Sequence, residues 1–187
     1  IVVLNTGGMM ETACFANHPG VDALLLAWQG GMEGGLATAE LLFGMGNPSG
    51  KLSDTLARDL RDYPFAETFF ESDDYVDYTE DIYVGYRYFE TVPGAAEKVV
   101  YPFGYGLSYT SFVLDDFECI NKGDSLNIEL TAENTGDFDG AEVVQIYLSG
   151  RYCDVVMPVK ELKAYKRVEL KKGEKAKGKP GQIVSAT

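Results

Sequence analysis

An α/β layer followed by an antiparallel β-sandwich is the fold class this sequence predicts. Three observations carry it. Apolar runs alternate with glycine turns and helix-period segments up to about residue 56, an irregular aromatic-rich stretch continues to about residue 112, and a period of two follows. With 187 residues and 45% hydrophobic side chains, the chain can build real cores in one ordinary domain or two small ones.

Ile1–Leu4 is a continuous apolar run, the pattern of a parallel strand covered on both faces. Gly7-Gly8 then turns the chain into a helix expected around Met9–Phe15. Val21–Ala27 reads as the second such strand, and Gly30-Gly31 leads into a helix over Glu33–Phe43. That helix has Leu36, Ala39 and Phe43 on one face and is stopped by Gly44 and Asn47-Pro48. Alternating strands and helices predict a mostly parallel sheet, with ligands gathering at the carboxyl ends of its strands, where both glycine pairs fall.

Beyond about Phe112, Leu126, Ile128, Leu130 and Ala132 alternate with Asn127, Glu129, Thr131 and Glu133. Asn134–Gly140 turns the chain, and Val144, Ile146 and Leu148 resume the alternation. Two further strand pieces are expected around Val159–Tyr165 and Lys166–Leu170. The run Lys175-Ala-Lys-Gly-Lys-Pro-Gly-Gln182 has no alternation, so a disordered tail is expected from about residue 174.

A formal net charge of −13 argues against nucleic acid or an anionic membrane as partner, because the leading electrostatic term is repulsive. No apolar run approaches the roughly 20 residues that a spanning helix needs. Cys14, Cys119 and Cys153 show neither a disulfide framework nor zinc spacing, so free thiols, which favour a cytoplasmic setting, are the default. The acidic stretch holding Glu67, Glu71, Asp73, Asp74, Asp77, Glu80 and Asp81 lacks the order of a calcium loop and reads as a solvated face. No metal is therefore expected, and no cofactor either, since neither glycine pair has dinucleotide-binding or Walker spacing. The chain opens inside an apolar strand without an initiator Met, so it reads as starting within a longer polypeptide.

The densest signal is Tyr78-Thr-Glu-Asp-Ile-Tyr-Val-Gly-Tyr-Arg-Tyr-Phe-Glu90 followed by Tyr101-Pro-Phe-Gly-Tyr-Gly-Leu-Ser-Tyr-Thr110. Read by themselves, these aromatics have two uses, packing an irregular segment onto a core or walling a sugar cleft. Together with Trp28-Gln-Gly-Gly-Met-Glu-Gly-Gly35 and Asn47-Pro-Ser-Gly-Lys-Leu52, they resemble the C-terminal domain of glycoside hydrolase family 3, the β-glucosidases and related exo-acting glycosidases. Glu133-Asn-Thr-Gly136, Val143–Tyr147 and Lys160–Lys163 resemble the fibronectin type III-like module that follows it. The resemblance implies the C-terminal half of a flavodoxin-like α/β sandwich over residues 1–112 and a truncated fibronectin-like sandwich over 113–187.

It further implies a fragment of an enzyme that hydrolyses terminal non-reducing β-glycosidic bonds by a retaining mechanism. The partners implied are a β-glycoside or oligosaccharide substrate and a (β/α)8 barrel of the same polypeptide. Retaining hydrolysis needs two carboxyl groups about 5–5.5 Å apart. The resemblance places the nucleophile on the barrel and the acid/base upstream of Ile1, so no catalytic residue is expected in this chain. Glu33, between a Gly-Gly turn and a helix, is the one in-chain candidate; its other reading is a first-turn acid held by the helix dipole. Trp28, Glu33, Tyr83 and Arg87 are the candidate substrate-binding residues, Arg87 alternatively pairing with Glu80 or Asp81. His18 lies in a Pro-Gly turn, and Ser49 and Ser108 have no base. A non-catalytic carbohydrate-binding or scaffolding module is the alternative function.

Overall fold

The computed structural model describes residues 1–123, 125–150 and 156–184. It divides into two compact units, one made of Ile1–Ala39, Leu52–Tyr105 and Gly150–Val159, the other of Glu40–Lys51, Gly106–Ser149 and the chain from Lys160 onward.

In the first unit, β1 (Val2–Leu4) and β2 (Leu24–Leu26) pair in parallel with Val3 opposite Leu25, and α1 (Ala13–Ala16) lies in their connection. The helix expected over Met9–Phe15 is a single turn begun by Thr12, whose carbonyl accepts from Phe15 and Ala16. So short a segment cannot repay helix nucleation by itself. Leu24–Leu26 is likewise narrower than the expected Val21–Ala27. α2 (Gly34–Leu42) comes next, and none of its residues is buried. The expected apolar face is not a core face: Leu36 is 58% exposed, and Phe43 lies beyond the helix and is 83% exposed. A helix buries its stripe only where a surface receives it, and the β1–β2 sheet is two strands wide.

β3 (Leu56–Ala57), α3 (Tyr86–Thr91) and β4 (Val99–Tyr101) complete the unit, β3 and β4 pairing antiparallel. Its core is Ala57, Tyr63, Phe89 and Ala95, with Met9, Phe65, Tyr88, Val92 and Val99 packed around it. The Tyr63 ring meets Phe89 edge-on at 5.4 Å, while its hydroxyl donates to Thr55 O at 2.8 Å and accepts from Ala57 N at 2.9 Å. Burial pushes that phenol above its ordinary pKa. The buried polar tip thus fixes β3, which is too short to be held by its own ladder.

The second unit is a sandwich of β5 (Phe112–Asn121), β6 (Ser125–Asn134), β7 (Gly140–Leu148), β8 (Glu161–Leu170) and β9 (Lys175–Val184). One sheet has the order β5-β6-β9 and the other is β7-β8. Ile128, Leu130, Ala132, Val144, Ile146 and Leu170 form the core, as the period of two demands, and Leu126 and Leu148 pack partly buried against it. A cleft of about 450 Å³ opens between β5 and β7, lined by apolar residues including Phe117, Val144 and Leu148.

Two expectations fail here. The two strand pieces around residues 159–170 are one continuous strand, β8, paired along its length with β7. The tail expected to be disordered from about residue 174 is β9, with Ala176 opposite Ala132 and Ile183 opposite Leu126. Ladder pairing uses the backbone and needs no side-chain alternation. The irregularity that disguised the strand sits where Lys179 and Pro180 face the single residue Glu129, a bulge that spares proline, which has no N–H, a ladder position.

The sandwich turns on Asn134, which is fully buried. Its Oδ1 accepts from Thr110 Oγ1 at 2.7 Å and Gly136 N at 3.1 Å; its Nδ2 donates to Phe138 O at 2.8 Å and Leu170 O at 3.1 Å. Its backbone N–H donates to Glu174 O, and its carbonyl accepts from Gly173 N. A Cβ at Gly136 would lie 2.2 Å from Thr110 Oγ1, so only glycine fits beside this amide.

Leu130→Ala is expected to cost about 2–5 kcal/mol in denaturant unfolding, and Glu129→Ala, on the opposite face of β6, almost nothing. Asn134→Ala should cost about 3–5 kcal/mol, because it orphans several buried partners at once. Asn134→Asp should also destabilise, since it puts a second acceptor against two carbonyls.

Candidate functional site

The carboxyl edge of β1 and β2 is built by two glycine turns. Gly7 follows β1, and a Cβ there would lie 2.3 Å from Gln29 Nε2, so the loop after β1 packs on the loop after β2. Gly30 approaches α2 so closely that a Cβ would sit 2.9 Å from Gly34 Cα. Between them Trp28 takes φ +53, a left-handed backbone that bulky residues rarely adopt, and its side chain is half-buried. Gln29 was not singled out from the sequence; only the small residue at Gly7 hinted that something large comes close.

Glu33 is exposed and stands just before α2 rather than in its first turn. Its carbonyl accepts from Ala37 N at 2.9 Å and so starts the helix through the backbone. The boundary moved because Gly31-Met32-Glu33 closes a turn, Gly34 N donating to Gly31 O.

The aromatic segment is set by two unusual backbones. Asp81 takes φ +49, and Gly85 takes φ +57 with ψ −126, open only to glycine, immediately before α3. The segment's aromatics then divide by use. Tyr86 and Phe89 pack, Tyr86 against Phe103 at 4.8 Å and Phe89 in the core. Arg87, also on α3, is half-buried. The Tyr83 hydroxyl is buried and has no hydrogen-bond partner among the described residues. Burial raises the Glu80 carboxyl above its ordinary pKa. Trp28 shares no ring pair with this segment among the described residues.

Two of the other motifs hold the second unit together. Asn47 Oδ1 accepts from Ser108 Oγ at 2.8 Å and Tyr109 N at 2.9 Å, and its Nδ2 donates to Asp139 O. Lys51, nearly buried, meets Glu142 at 2.9 Å and donates to Gly106 O at 2.7 Å. Ser49 Oγ accepts from Arg167 Nε, so both serines serve structure. His18 Nδ1 accepts from Gly20 N at 3.0 Å within its turn. Cys14 and Cys119 are exposed free thiols, and Cys153 lies outside the described residues. Among the described residues no helix is long and apolar enough to cross a membrane, and no group of three metal-ligating side chains comes together.

Comparison with known proteins gives this architecture its place. Residues 1–109 match the glycosyl hydrolase family 3 C-terminal domain. The chain belongs to glycosyl hydrolase family 3. Within this family 3 chain, residues 142–179 match a fibronectin type III-like domain. It is 51% identical to β-glucosidase A of Butyrivibrio fibrisolvens over 91% of this chain and 22% of that protein. It is 37% identical to an exo-α-(1→6)-L-arabinopyranosidase of Bifidobacterium breve over 93% of this chain and 22% of the relative. The solved structure of β-glucosidase 3B from Thermotoga neapolitana in complex with glucose superposes with a TM-score of 0.88 at 38% identity, covering 98% of this chain and 25% of that one. The family 3 chain thus spans about a fifth of the length of these two curated relatives.

A carboxyl whose pKa is raised in the folded state holds its proton longer there than in the unfolded chain, so stability falls as pH rises through the window above the ordinary value. Glu80→Gln should therefore flatten the fall in melting temperature between about pH 4 and pH 7 and leave the variant the more stable at neutrality. A pH series of thermal melts of both proteins checks it.

Proposed function

We propose that this chain works as the C-terminal α/β and fibronectin-like part of a retaining β-glucosidase-type enzyme that releases terminal non-reducing sugars from β-glycosides. The observation that carries the proposal is a likeness to β-glucosidases that extends over 91% of the chain at 51% identity in sequence and over 98% of it at a TM-score of 0.88 in fold, each relative being several times longer than the matched region. The two catalytic carboxylates lie outside residues 1–187, and a (β/α)8 barrel of the same polypeptide supplies the nucleophile. The domain limits in this reading are 1–112 and 113–187, although the compact units group residues 40–51 and 106–112 with the second and residues 150–159 with the first.

Trp28, Glu33, Tyr83 and Arg87 face the substrate side in this reading. Support comes from the strained Trp28 backbone at a strand's carboxyl end, the exposed carboxylate of Glu33 beside a glycine turn, and the buried Tyr83 hydroxyl. A structure of the longer polypeptide that put Trp28 and Tyr83 on opposite edges of the domain would end that assignment. The arabinopyranosidase relative leaves the sugar to be read from the barrel, since the same C-terminal scaffold serves more than one glycone.

Residues 1–187 purified alone should not turn over an aryl β-glucoside, because a glycosidase lacking both carboxyl groups loses the covalent intermediate and leaving-group protonation. The polypeptide that carries the barrel should turn it over. Activity of the isolated chain that survives purification and disappears with Glu33→Gln would overturn the proposal and make Glu33 catalytic. Saturable binding of cello-oligosaccharides by a chain whose gene encodes no barrel would favour the non-catalytic carbohydrate module.

A further inference from the structure

The second unit carries a hollow of about 460 Å³ beside the end of β8, lined by Asp139, Arg167, Glu169, Lys171 and Glu174 among others. That volume lies in the ordinary range of small-molecule sites, about 300–1,000 Å³. The carboxylates are each anchored through one oxygen. Asp139 Oδ1 accepts from Lys172 N and Glu174 Oε2 from Lys171 N, both at 2.8 Å. Glu169 Oε1 accepts from Arg167, whose Nε donates to Ser49 Oγ at 3.3 Å. These bonds hold the side chains in place and leave the second oxygen of each carboxylate and the remaining guanidinium N–H groups to a ligand. Tyr165 stands next to the hollow. Ala164, Val168 and Leu170 of β8 pack toward the core, so Tyr165, Arg167 and Glu169 alternate onto the outer face. Tyr165 is 70% exposed and lies about 7 Å along the strand from Arg167. A bare tyrosine by itself is ordinary; on the same face as a hollow of donors and acceptors, its ring adds a flat apolar surface to a polar site.

We infer that the hollow and Tyr165 form a binding site for a neutral saccharide. The lining picks that class. Three carboxylates repel an anion, Arg167 and Lys171 repel a cation, and charged walls covered by an apolar molecule would lose their hydration with nothing in return. Among the described residues no group of three metal-ligating side chains comes together, so the carboxylates are not arranged for a metal. A sugar hydroxyl both donates and accepts, which suits carboxylate oxygens set beside guanidinium and ammonium donors. A pyranose also turns C–H groups to its faces, which suits the open ring of Tyr165. The site belongs to the second unit, whereas Trp28, Glu33, Tyr83 and Arg87 belong to the first. It does not depend on the proposed hydrolase activity.

The test titrates the chain with cellopentaose, xylopentaose and mannopentaose, and with trigalacturonate as the acidic counterpart, followed by amide chemical shifts. At least one of the neutral sugars is expected to give saturable shifts centred on residues 165–174, and trigalacturonate weaker ones. Tyr165→Ala combined with Lys171→Ala should weaken that binding by about tenfold or more. Both side chains are exposed, so the melting temperature of the doubly substituted chain should not change. The inference is overturned if no neutral sugar gives saturable shifts, if trigalacturonate binds more tightly, if the shifts centre on the first unit, or if the double substitution leaves binding intact. Aryl β-glucoside turnover by the barrel-bearing polypeptide is scored separately. Binding at the hollow without turnover keeps the site and sinks the proposed activity, and turnover without binding does the reverse.

Discussion

One buried amide organises the second unit. Asn134 closes β6, and from that one position it holds the turn to β7 through Phe138, the end of β8 through Leu170, and the approach to β9 through Glu174. The sheets pack through aliphatic side chains, and the ion pairs Lys175–Glu133 and Lys172–Asp137 at this corner are exposed and so contribute little. That leaves the register to a buried group that can donate and accept in several directions at once. Every polar atom of Asn134 is used, which turns burial of an amide from a cost into a source of specificity. Glycine at 136 follows from it, since a Cβ there would run into the Thr110 hydroxyl that completes the network, and a Cβ at Gly140 would meet the Thr110 methyl and the Asn47 amide, each at 2.8 Å.

The same logic appears in smaller form in the first unit. Strands of two and three residues cannot organise a domain by ladder bonds alone, and the Tyr63 hydroxyl does the work at β3, with one bond to the residue before the strand and one to a residue within it. The ring beneath it brings Phe89 and α3 into the same core. The aromatic richness of this region therefore has two physical meanings. Tyr63, Tyr86 and Phe89 spend their area inward, while Phe70 and Tyr78 remain bare.

The candidate site was partly legible. Trp28 and Glu33 could be placed at the carboxyl end of a strand because a continuous apolar run followed by Gly-Gly has few other meanings. What Trp28 does with its backbone was not legible, since a left-handed tryptophan has no pattern in composition or spacing. Gln29 was invisible for a related reason: its place depends on a close approach to Gly7, a residue 22 positions away in the chain. The motifs Asn47–Leu52 and Gly106–Thr110 stood out by their order, yet their role as hydrogen-bonded braces of the second unit emerges only when Asn47, Ser108 and Lys51 are seen with their partners.

By itself the sequence determined the class of each half, the parallel run of β1 and β2, and the faces of β6 and β7, because periodicity and apolar content act locally and survive any tertiary arrangement. It also carried the resemblance to the family, through motifs whose order no generic core requires. Tertiary structure alone decided that Lys175–Val184 is a strand, that the stripe of α2 lies in solvent, and that Asn134 is a hub. Each of these depends on whether a distant backbone edge, a covering surface or a set of carbonyls is present, and such conditions are properties of the folded neighbourhood rather than of the residues that meet them.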